Sequence, residues 1–258
     1  RRDDVDTVYI ASPNTCHVAQ ALEALNAGKH VIVEKPTALT RAEVDLIHEA
    51  AVRNGRYFFE SITTLFMPNY LACRDLLPSL GRLDSITSKY GQYSSKMDDY
   101  RKGIVSSSLD PAMRGGALND MGIYCIHMAV DLFGEPEHVS YTAQRGFNGI
   151  DLEGELTLDY PGLQVKIHAS KQNNIGSGCM VRGEYGFFSE DGPMNDFGTC
   201  SGALNGTALN ICLQHGENRM IYELERFAEA IRMRDDAFYY RMYRQSRIAA
   251  GVLEDAAK

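Results

Sequence analysis

One lysine of this sequence stands directly after a short apolar run, in Glu34-Lys35-Pro36. A lysine ammonium can hold a substrate oxygen or stabilise negative charge beside it. The proline that follows restricts the backbone and permits a cis peptide bond, which would set the direction of the lysine. The alternative is an ordinary surface lysine at a turn, and this run alone does not decide between the two.

A second polar group follows the pair Gly115-Gly116. On a helix, Asp120, Tyr124 and His127 stand at positions i, i+4 and i+7 and share one face. An acid, a phenol and an imidazole on one face can transfer protons. The alternative is a structural seam of polar side chains between two domains, which such a stripe by itself favours.

The first third of the chain alternates strands and helices. Strands are expected at 5–10, 30–33 and 57–60, with helices between them that end at Gly28 and near Gly55. Thr40 and Glu43 form a capping box at the start of the second helix. This alternation predicts a parallel, doubly wound sheet, in which the carboxyl ends of the strands share the edge where ligands bind.

Two polar clusters are expected at that edge, because each follows a strand. They consist of Ser12-Pro13-Asn14 and Glu34-Lys35-Pro36. The glycine-rich phosphate turn of dinucleotide-binding folds, with an acidic residue about 20 positions later, does not accompany them. We therefore expect residues 1–65 to be the remaining carboxyl-terminal part of a Rossmann-like domain whose amino-terminal half is missing.

The rest of the chain, residues 66–258, is predicted to be an α+β domain with a mainly antiparallel open sheet. A helix is expected at 117–133 and a hairpin at 152–169, turning at Pro161-Gly162, where proline and then glycine suit a type II turn. Further strands are expected within 181–189 and 198–213. Two helices, at about 219–233 and 242–257, complete a layer on one side of the sheet.

Composition excludes several classes of protein. The 258 residues hold 26 Lys+Arg against 34 Asp+Glu, a formal net charge of −8, which disfavours a general nucleic-acid or anionic-membrane binder. The sequence contains no apolar run that approaches the roughly 18 residues of a membrane helix. Six cysteines without CxxC spacing predict free thiols in a reducing cytoplasm and no metal site.

The motifs taken together resemble a known family. Ser12-Pro13-Asn14 with His17, Glu34-Lys35-Pro36, and the run Gly-Gly-Ala-Leu-x-Asp-Met-Gly-Ile-Tyr ending at Tyr124 are similar to those of the Gfo/Idh/MocA family of NAD(P)-dependent oxidoreductases. Tyr124 resembles the branch that contains dihydrodiol dehydrogenase, xylose dehydrogenase and glucose–fructose oxidoreductase, whereas inositol dehydrogenase-like members carry a histidine there. The resemblance spans nearly the whole chain.

The resemblance implies roles for individual residues. Lys35 and Tyr124 would be the catalytic pair, and Asp120 would orient the substrate. Tyrosine has a pKa of about 10 and needs a nearby cation to act at neutral pH, which Lys35 would supply. The residues implied beside the nicotinamide half of NAD or NADP are Ser12, Pro13, Asn14, His17, Glu34, Lys35 and Pro36.

The expected function is therefore hydride transfer between NAD(P) and a sugar- or diol-type hydroxyl or carbonyl, on a small polyhydroxy substrate. A homo-oligomer, dimer or tetramer, is expected through the open sheet, without nucleic-acid or membrane partners. Leu65 stands where the family commonly has arginine, which suggests an altered substrate pocket. The alternative is a non-catalytic binding or assembly protein that has lost its dinucleotide-binding half. The sequence does not distinguish NAD from NADP, one sugar from another, or the direction of reaction.

Overall fold

A computed structural model describes residues 2, 4–215 and 218–258. The amino-terminal part forms a parallel sheet of three strands in the order β1 (Thr7–Ile10), β2 (His30–Glu34) and β3 (Phe58–Ser61). Helices α1 (His17–Asn26) and α2 (Arg41–Arg53) connect the strands. The predicted strand–helix alternation in a Rossmann-like parallel sheet is confirmed.

Local signals explain where these helices begin and end. Gly28, just beyond α1, has φ +77°, a conformation that glycine adopts without strain. The Thr40 hydroxyl accepts a hydrogen bond from the backbone N–H of Glu43 at the start of α2. The Glu43 carboxylate accepts in turn from the N–H of Leu39, one residue before the cap. The predicted capping box is therefore present, except that the Glu43 carboxylate accepts from the N–H of Leu39 instead of that of Thr40.

The carboxyl-terminal part is built on a mixed sheet of eight strands. Its order is β11-β10-β9-β8-β4-β7-β6-β5, and neighbours are antiparallel except β4 and β7, which are parallel. The mainly antiparallel sheet expected from the sequence is confirmed in this form. The strands are β4 (Leu83–Gly91), β5 (His138–Arg145), β6 (Asp151–Tyr160), β7 (Leu163–Ser170), β8 (Gly176–Gly183), β9 (Gly186–Glu190), β10 (Cys200–Leu204) and β11 (Thr207–Ile211).

Helices and short turns connect and cover this sheet. Three 3-10 turns and a π-helical turn, Leu118–Gly122, lie among them outside the amino-terminal part. The π turn and α5 pack on β4 and β7, so one face of the sheet is buried. The helices beyond α2 are α3 (Pro68–Leu76), α4 (Met97–Arg101), α5 (Ile123–Phe133), α6 (Met220–Met233) and α7 (Asp236–Ala256).

The other face of the sheet is exposed and polar. Thr87, Lys89, Glu155 and Lys166 lie on it with exposed side chains. On the covered face, alternate residues such as Val165 are fully buried. This alternation is the pattern from which the hairpin of β6 and β7 was predicted, with side chains pointing to opposite faces in turn.

The last helix belongs by its contacts to the amino-terminal sheet. The backbone N–H of Arg41 donates to Glu254, and the Arg41 guanidinium donates to Asp255 at 2.9 Å. α7 also packs against β3. It begins at Asp236, earlier than the expected 242, because the Asp235 side chain caps it by accepting from the N–H of Phe238.

Two further findings bear on the expected class of protein. Within the parts of the chain that the structure describes, no helix is long and apolar enough to cross a membrane. The six cysteines are all free thiols.

Glu190, at the end of β9, is a carboxylate in an unfavourable place. Its side chain is 1% exposed, and one oxygen accepts from the N–H of Gly198 at 2.9 Å. The other oxygen has no partner among the described residues. Burial raises the pKa of Glu190 to about 7, and only backbone N–H groups oppose the shift.

We expect Glu190 to make the protein less stable as pH rises. Between the unfolded pKa of about 4.3 and the folded value, the folded chain holds a proton that the unfolded chain has lost, so the free energy of unfolding falls with pH. Glu190→Gln removes this loss. We expect the free energy of unfolding of the variant, minus that of wild type, to be about 1–2 kcal/mol larger at pH 8 than at pH 5. Urea denaturation at the two pH values measures it.

The exposed Glu184→Gln is the matched control, because Glu184 lies in the turn that leads into β9. It should follow the wild-type pH dependence. If Glu190→Gln follows the wild-type pH dependence as closely as this control does, Glu190 is not the source of the effect.

Candidate active site

The carboxyl ends of the three parallel strands are tied together by one tyrosine. The Tyr9 hydroxyl donates to Glu34 at 2.6 Å and to the Ser61 hydroxyl oxygen at 3.1 Å. Ser61 donates in turn to Glu223 of α6 at 2.6 Å. Burial raises the pKa of Glu223 to about 7, and the nearby Glu34 charge adds to the shift. This edge of the sheet is therefore a connected polar network.

His17 holds two loops of this edge together from below. It is fully buried, and its ring nitrogens lie 2.9 Å from the carbonyl oxygens of Pro36 and Ser12. The Lys35–Pro36 peptide bond is cis, as the sequence permits. His17 therefore fixes the turn that carries Lys35, and both of its ring nitrogens contact backbone carbonyl oxygens.

The loop after β1 shapes the same edge through its backbone and side chains. The Ser12 hydroxyl donates to Gln20 at 2.7 Å, and Pro13 precedes a 3-10 turn. The Asn14 amide donates to the carbonyl oxygen of Arg114 at 3.0 Å, which joins this loop to the segment before Gly115-Gly116. The side chains of Ser12, Asn14 and His17 thus make hydrogen bonds to other groups of the protein.

The helix expected at 117–133 has an irregular first turn. Residues Leu118–Gly122 are π-helical, and the α-helix proper begins at Ile123. Such turns are frequent at functional sites because they re-aim side chains. Asp120 and Tyr124 lie at the edge of a cavity, whereas His127 is buried under α7. The proton-transfer stripe of three residues is therefore reduced to two.

His127 fits the structural alternative. Its Nε2 lies 3.3 Å from the Glu60 carboxylate, and Gln245 of α7 donates to its backbone carbonyl at 2.8 Å. All three side chains are buried. They form a polar seam between the sheet of β1–β3 and helices α5 and α7.

The π turn is held by a single carboxylate. Asp151 accepts from the N–H of Leu118 and from the Tyr141 hydroxyl, both at 2.8 Å. Gly116 has φ +114°, and a Cβ there would lie 2.0 Å from an Asp151 oxygen. Only glycine fits between the loop and this carboxylate.

Lys35 reaches from β2 to the π turn. Its ammonium donates to the backbone carbonyl and to one carboxylate oxygen of Asp120, both at 2.7 Å. It also lies 4.8 Å from the centre of the Tyr124 ring. Burial alone lowers the pKa of Lys35, but the negative charges that Tyr124 carries when it is ionised and that Asp120 carries outweigh burial and raise it to about 12. Lys35 is therefore a permanent cation.

Asp120 is shared by two lysines. Its second carboxylate oxygen accepts from Lys171, which follows β7. Burial disfavours the charged carboxylate, yet the two ammonium groups hold the pKa of Asp120 well below its usual range. Lys171 belongs to no motif and is not predicted as a site residue from the sequence. Its position directly after a strand of the second sheet is the one available signal.

Tyr124 presents its hydroxyl to the cavity. Among the described residues the hydroxyl has no hydrogen-bond partner, and its ring lies 5.7 Å from that of Tyr90. Burial raises the pKa of Tyr124 above its ordinary value, and the Lys35 charge offsets only part of this. The Lys35 charge lowers the pKa of Tyr124 as expected, but burial raises it by more.

These groups line one cavity of 430 Å³. Its walls contain Lys35, Asp120 and Tyr124 from the predicted set, together with Tyr90, Gln92, Asn195 and Lys171. The rest of the predicted cofactor-binding set lies outside this wall, namely Ser12, Pro13, Asn14, His17, Glu34 and Pro36. Leu65 is buried in a 3-10 turn and does not line the cavity. The altered substrate pocket expected from Leu65 is therefore not produced by direct contact of this side chain.

Comparison with known proteins identifies the family. Residues 1–61 match the model of an oxidoreductase family with an NAD-binding Rossmann fold, and residues 73–189 match the Gfo/Idh/MocA C-terminal domain. Over 256 residues the chain is 33% identical to scyllo-inositol 2-dehydrogenase (NADP(+)) IolU of Bacillus subtilis (strain 168), covering 99% of this chain and 78% of that protein. The chain belongs to the Gfo/Idh/MocA family. The comparisons do not confirm the expectation that half of its Rossmann domain is missing.

Other members show the same relationship. Trans-1,2-dihydrobenzene-1,2-diol dehydrogenase of Bos taurus is 35% identical over 164 residues, 62% of this chain and 46% of that enzyme. In fold, the chain matches aldose-aldose oxidoreductase from Caulobacter crescentus, solved with glycerol, with a TM-score of 0.81 at 23% identity over 99% of this chain and 78% of that one. KijD10, a 3-ketoreductase from Actinomadura kijaniata solved with NADP and TDP-benzene, matches with a TM-score of 0.84 at 20% identity, again over 99% and 78%.

The family implies NAD or NADP as cofactor, and the donor set at the sheet edge fits its nicotinamide half. One Glu34 oxygen is bonded to Tyr9, which leaves the other available. Lys35 uses two of its three N–H groups on Asp120, and no described residue is hydrogen-bonded to the Tyr124 hydroxyl. The Glu34 carboxylate at the end of β2 suits a carboxamide-bearing ring, and the Lys35 ammonium and Tyr124 phenol in the cavity suit a substrate oxygen beside it.

The geometry of the π turn leads to a prediction at Gly116. Gly116→Ala would place a Cβ against Asp151, so we expect a loss of about 1–3 kcal/mol from the free energy of unfolding through backbone strain and a disturbed carboxylate. Thermal and urea denaturation measure it.

Gly134→Ala is the matched control, because Gly134 also has positive φ, +79°, but open space around its Cβ position. It should cost about 1 kcal/mol. Equal losses in the two variants would show that the contact with Asp151 has no effect.

Proposed function

We propose that the protein transfers a hydride between NAD(P) and a sugar- or diol-type hydroxyl or carbonyl. The observation that carries the proposal is the position of Lys35. Its ammonium is fixed by two bonds of 2.7 Å to Asp120 beside the free hydroxyl of Tyr124, at the carboxyl edge of the parallel sheet. Ligands of doubly wound sheets bind at this edge.

Tyr124 moves the proton in this proposal. In oxidation it accepts the proton of the substrate hydroxyl, and in reduction it donates its own to the substrate oxygen. When bound, the nicotinamide supplies the hydride acceptor or donor. Lys35 stabilises the negative charge that forms on either oxygen, and Asp120 keeps the ammonium in place.

Tyr124 carries its proton in the free protein. Burial raises the pKa of Tyr124, so the phenol is protonated at neutral pH and can act as an acid in reduction. The positive charge of Lys35 acts in the opposite sense and favours the ionised phenol that oxidation uses.

The names of relatives support the substrate class. They act on an inositol, a dihydrodiol and, in the structural match, an aldose, all of which carry neighbouring hydroxyl groups. The alternative of a non-catalytic binding protein is not favoured by these comparisons. The domain division at residue 65, and assembly into a dimer or tetramer through the exposed face of the large sheet, remain part of the proposal.

Removing either catalytic group should nearly abolish turnover. We expect Lys35→Ala and Tyr124→Phe each to lower kcat by about 10²–10⁴-fold, the scale of a lost proton-transfer group. The assay follows NADH or NADPH by absorbance with scyllo-inositol, D-xylose and trans-1,2-dihydrobenzene-1,2-diol as substrates. The controls Lys166→Ala and Tyr185→Phe change exposed residues outside the cavity and should retain wild-type rates.

Wild-type turnover in both Lys35→Ala and Tyr124→Phe would remove them from the mechanism. Absence of turnover by the wild-type chain with these three substrates and with D-gluconate would contradict the substrate class.

Cofactor binding is tested separately. We expect the fluorescence of NADH or NADPH to change on titration with the chain, with a Kd below the millimolar range, because free polar groups meet at the sheet edge. Lys35→Ala should weaken this binding less than it lowers kcat. No binding of either nucleotide at millimolar concentration would overturn the dehydrogenase proposal.

A further inference from the structure

Lys171 is a buried ammonium with unused hydrogen-bond donors. Its side chain is 5% exposed and lines the active-site cavity. An ammonium has three N–H donors. Among the described residues, Asp120 is the one acceptor that Lys171 reaches. Buried donors are normally satisfied, so the two remaining N–H groups mark a place where a ligand oxygen belongs.

The position of Lys171 is set by its backbone. Its N–H donates to the carbonyl oxygen of Leu152 in β6, and its own carbonyl accepts from the N–H of Ser94, both at 2.8 Å. The backbone of Lys171 is thus held between β6 and the loop that follows β4. A side chain anchored in this way is preorganised, which lowers the entropic cost of binding.

The charges around the cavity do not balance. Lys35 and Lys171 share the single carboxylate of Asp120. Within salt-bridge distance among the described residues, one carboxylate therefore serves two ammonium groups, and the Lys171 side chain is only 5% exposed. A buried charge of this kind is stabilised by an anion.

The two lysines also set the geometry of that anion. Both ammonium groups contact the same carboxylate, so they lie about one carboxylate width plus two hydrogen bonds apart. A substrate oxygen held by Lys35 and Tyr124 is therefore only a few bonds away from a group held by Lys171.

We propose that Lys171 binds a carboxylate of the substrate, so that this enzyme acts on a polyhydroxy acid of the aldonate or uronate type rather than on a neutral sugar. The carboxylate lies close to the reacting hydroxyl, and charge-assisted hydrogen bonds from Lys171 hold it. This inference rests on the proposed function, whose active site it completes.

The test compares two probes that differ in charge. D-gluconate and D-glucitol have the same carbon chain, and one end is a carboxylate in the first and an alcohol in the second. Isothermal titration calorimetry on the full chain, without added nucleotide, measures each Kd independently of hydride transfer. We expect gluconate to bind about tenfold or more tightly than glucitol.

Variants assign this preference to Lys171. Lys171→Met should bring the two Kd values to within about threefold, chiefly by weakening gluconate. Lys171→Arg keeps the charge and should keep the preference. Lys166→Met changes an exposed lysine of β7, the strand that precedes Lys171, and should leave both Kd values unchanged. Circular dichroism checks the fold, and Lys171→Gln replaces the Met variant if that one does not fold.

Each contrary outcome is decisive. Equal affinity for the two probes in wild type, no binding of gluconate, or a preference that survives loss of the Lys171 charge would overturn the inference. The proposed function fails differently, through absent nucleotide binding or absent turnover. A gluconate preference that depends on Lys171 in a chain without nucleotide binding would retain the inference and overturn the dehydrogenase.

Discussion

The contact between Lys35 and Asp120 is the interaction on which the site depends. It joins the end of β2 to the π turn of the second sheet's covering layer, and places a cation beside Tyr124. The ammonium is largely buried, so its charge is tolerated only because the carboxylate lies against it. His17 holds the turn that carries Lys35, and Asp151 holds the π turn that carries Asp120. These contacts keep the two groups of the ion pair within bonding distance.

Local pattern was sufficient for the amino-terminal sheet. Alternation of apolar strands with amphipathic helices, together with Gly28 and the Thr40 cap, predicts β1–β3 and the edge where ligands bind. The meeting of Lys35 with Asp120 and Tyr124 was inferred from family resemblance, since no spacing along the chain relates residues 85 positions apart. The structure brings these three together in one cavity, as the resemblance implies.

What the sequence did not predict depends on tertiary contacts. The π turn is bonded to Asp151, 33 positions away in sequence, and nothing within 117–133 itself interrupts the pattern of one continuous helix. β5 was missed because it is an edge strand whose residues are mostly half-buried or exposed. Lys171 carries no motif, and its importance comes from the acid that it meets across the cavity. His127 shares the predicted helix face with Asp120 and Tyr124, but its side chain is buried where α7 packs against α5.

The packing of α7 on the amino-terminal sheet has a consequence for how the protein is made. Arg41 and Glu254 are bonded although they are 213 residues apart. During synthesis, β1–β3 emerge early, but the helix that covers β3 is translated only after the whole large sheet. Contacts of such long range close slowly and leave apolar surface exposed meanwhile. The amino-terminal sheet is thus completed only after α7 has been synthesised.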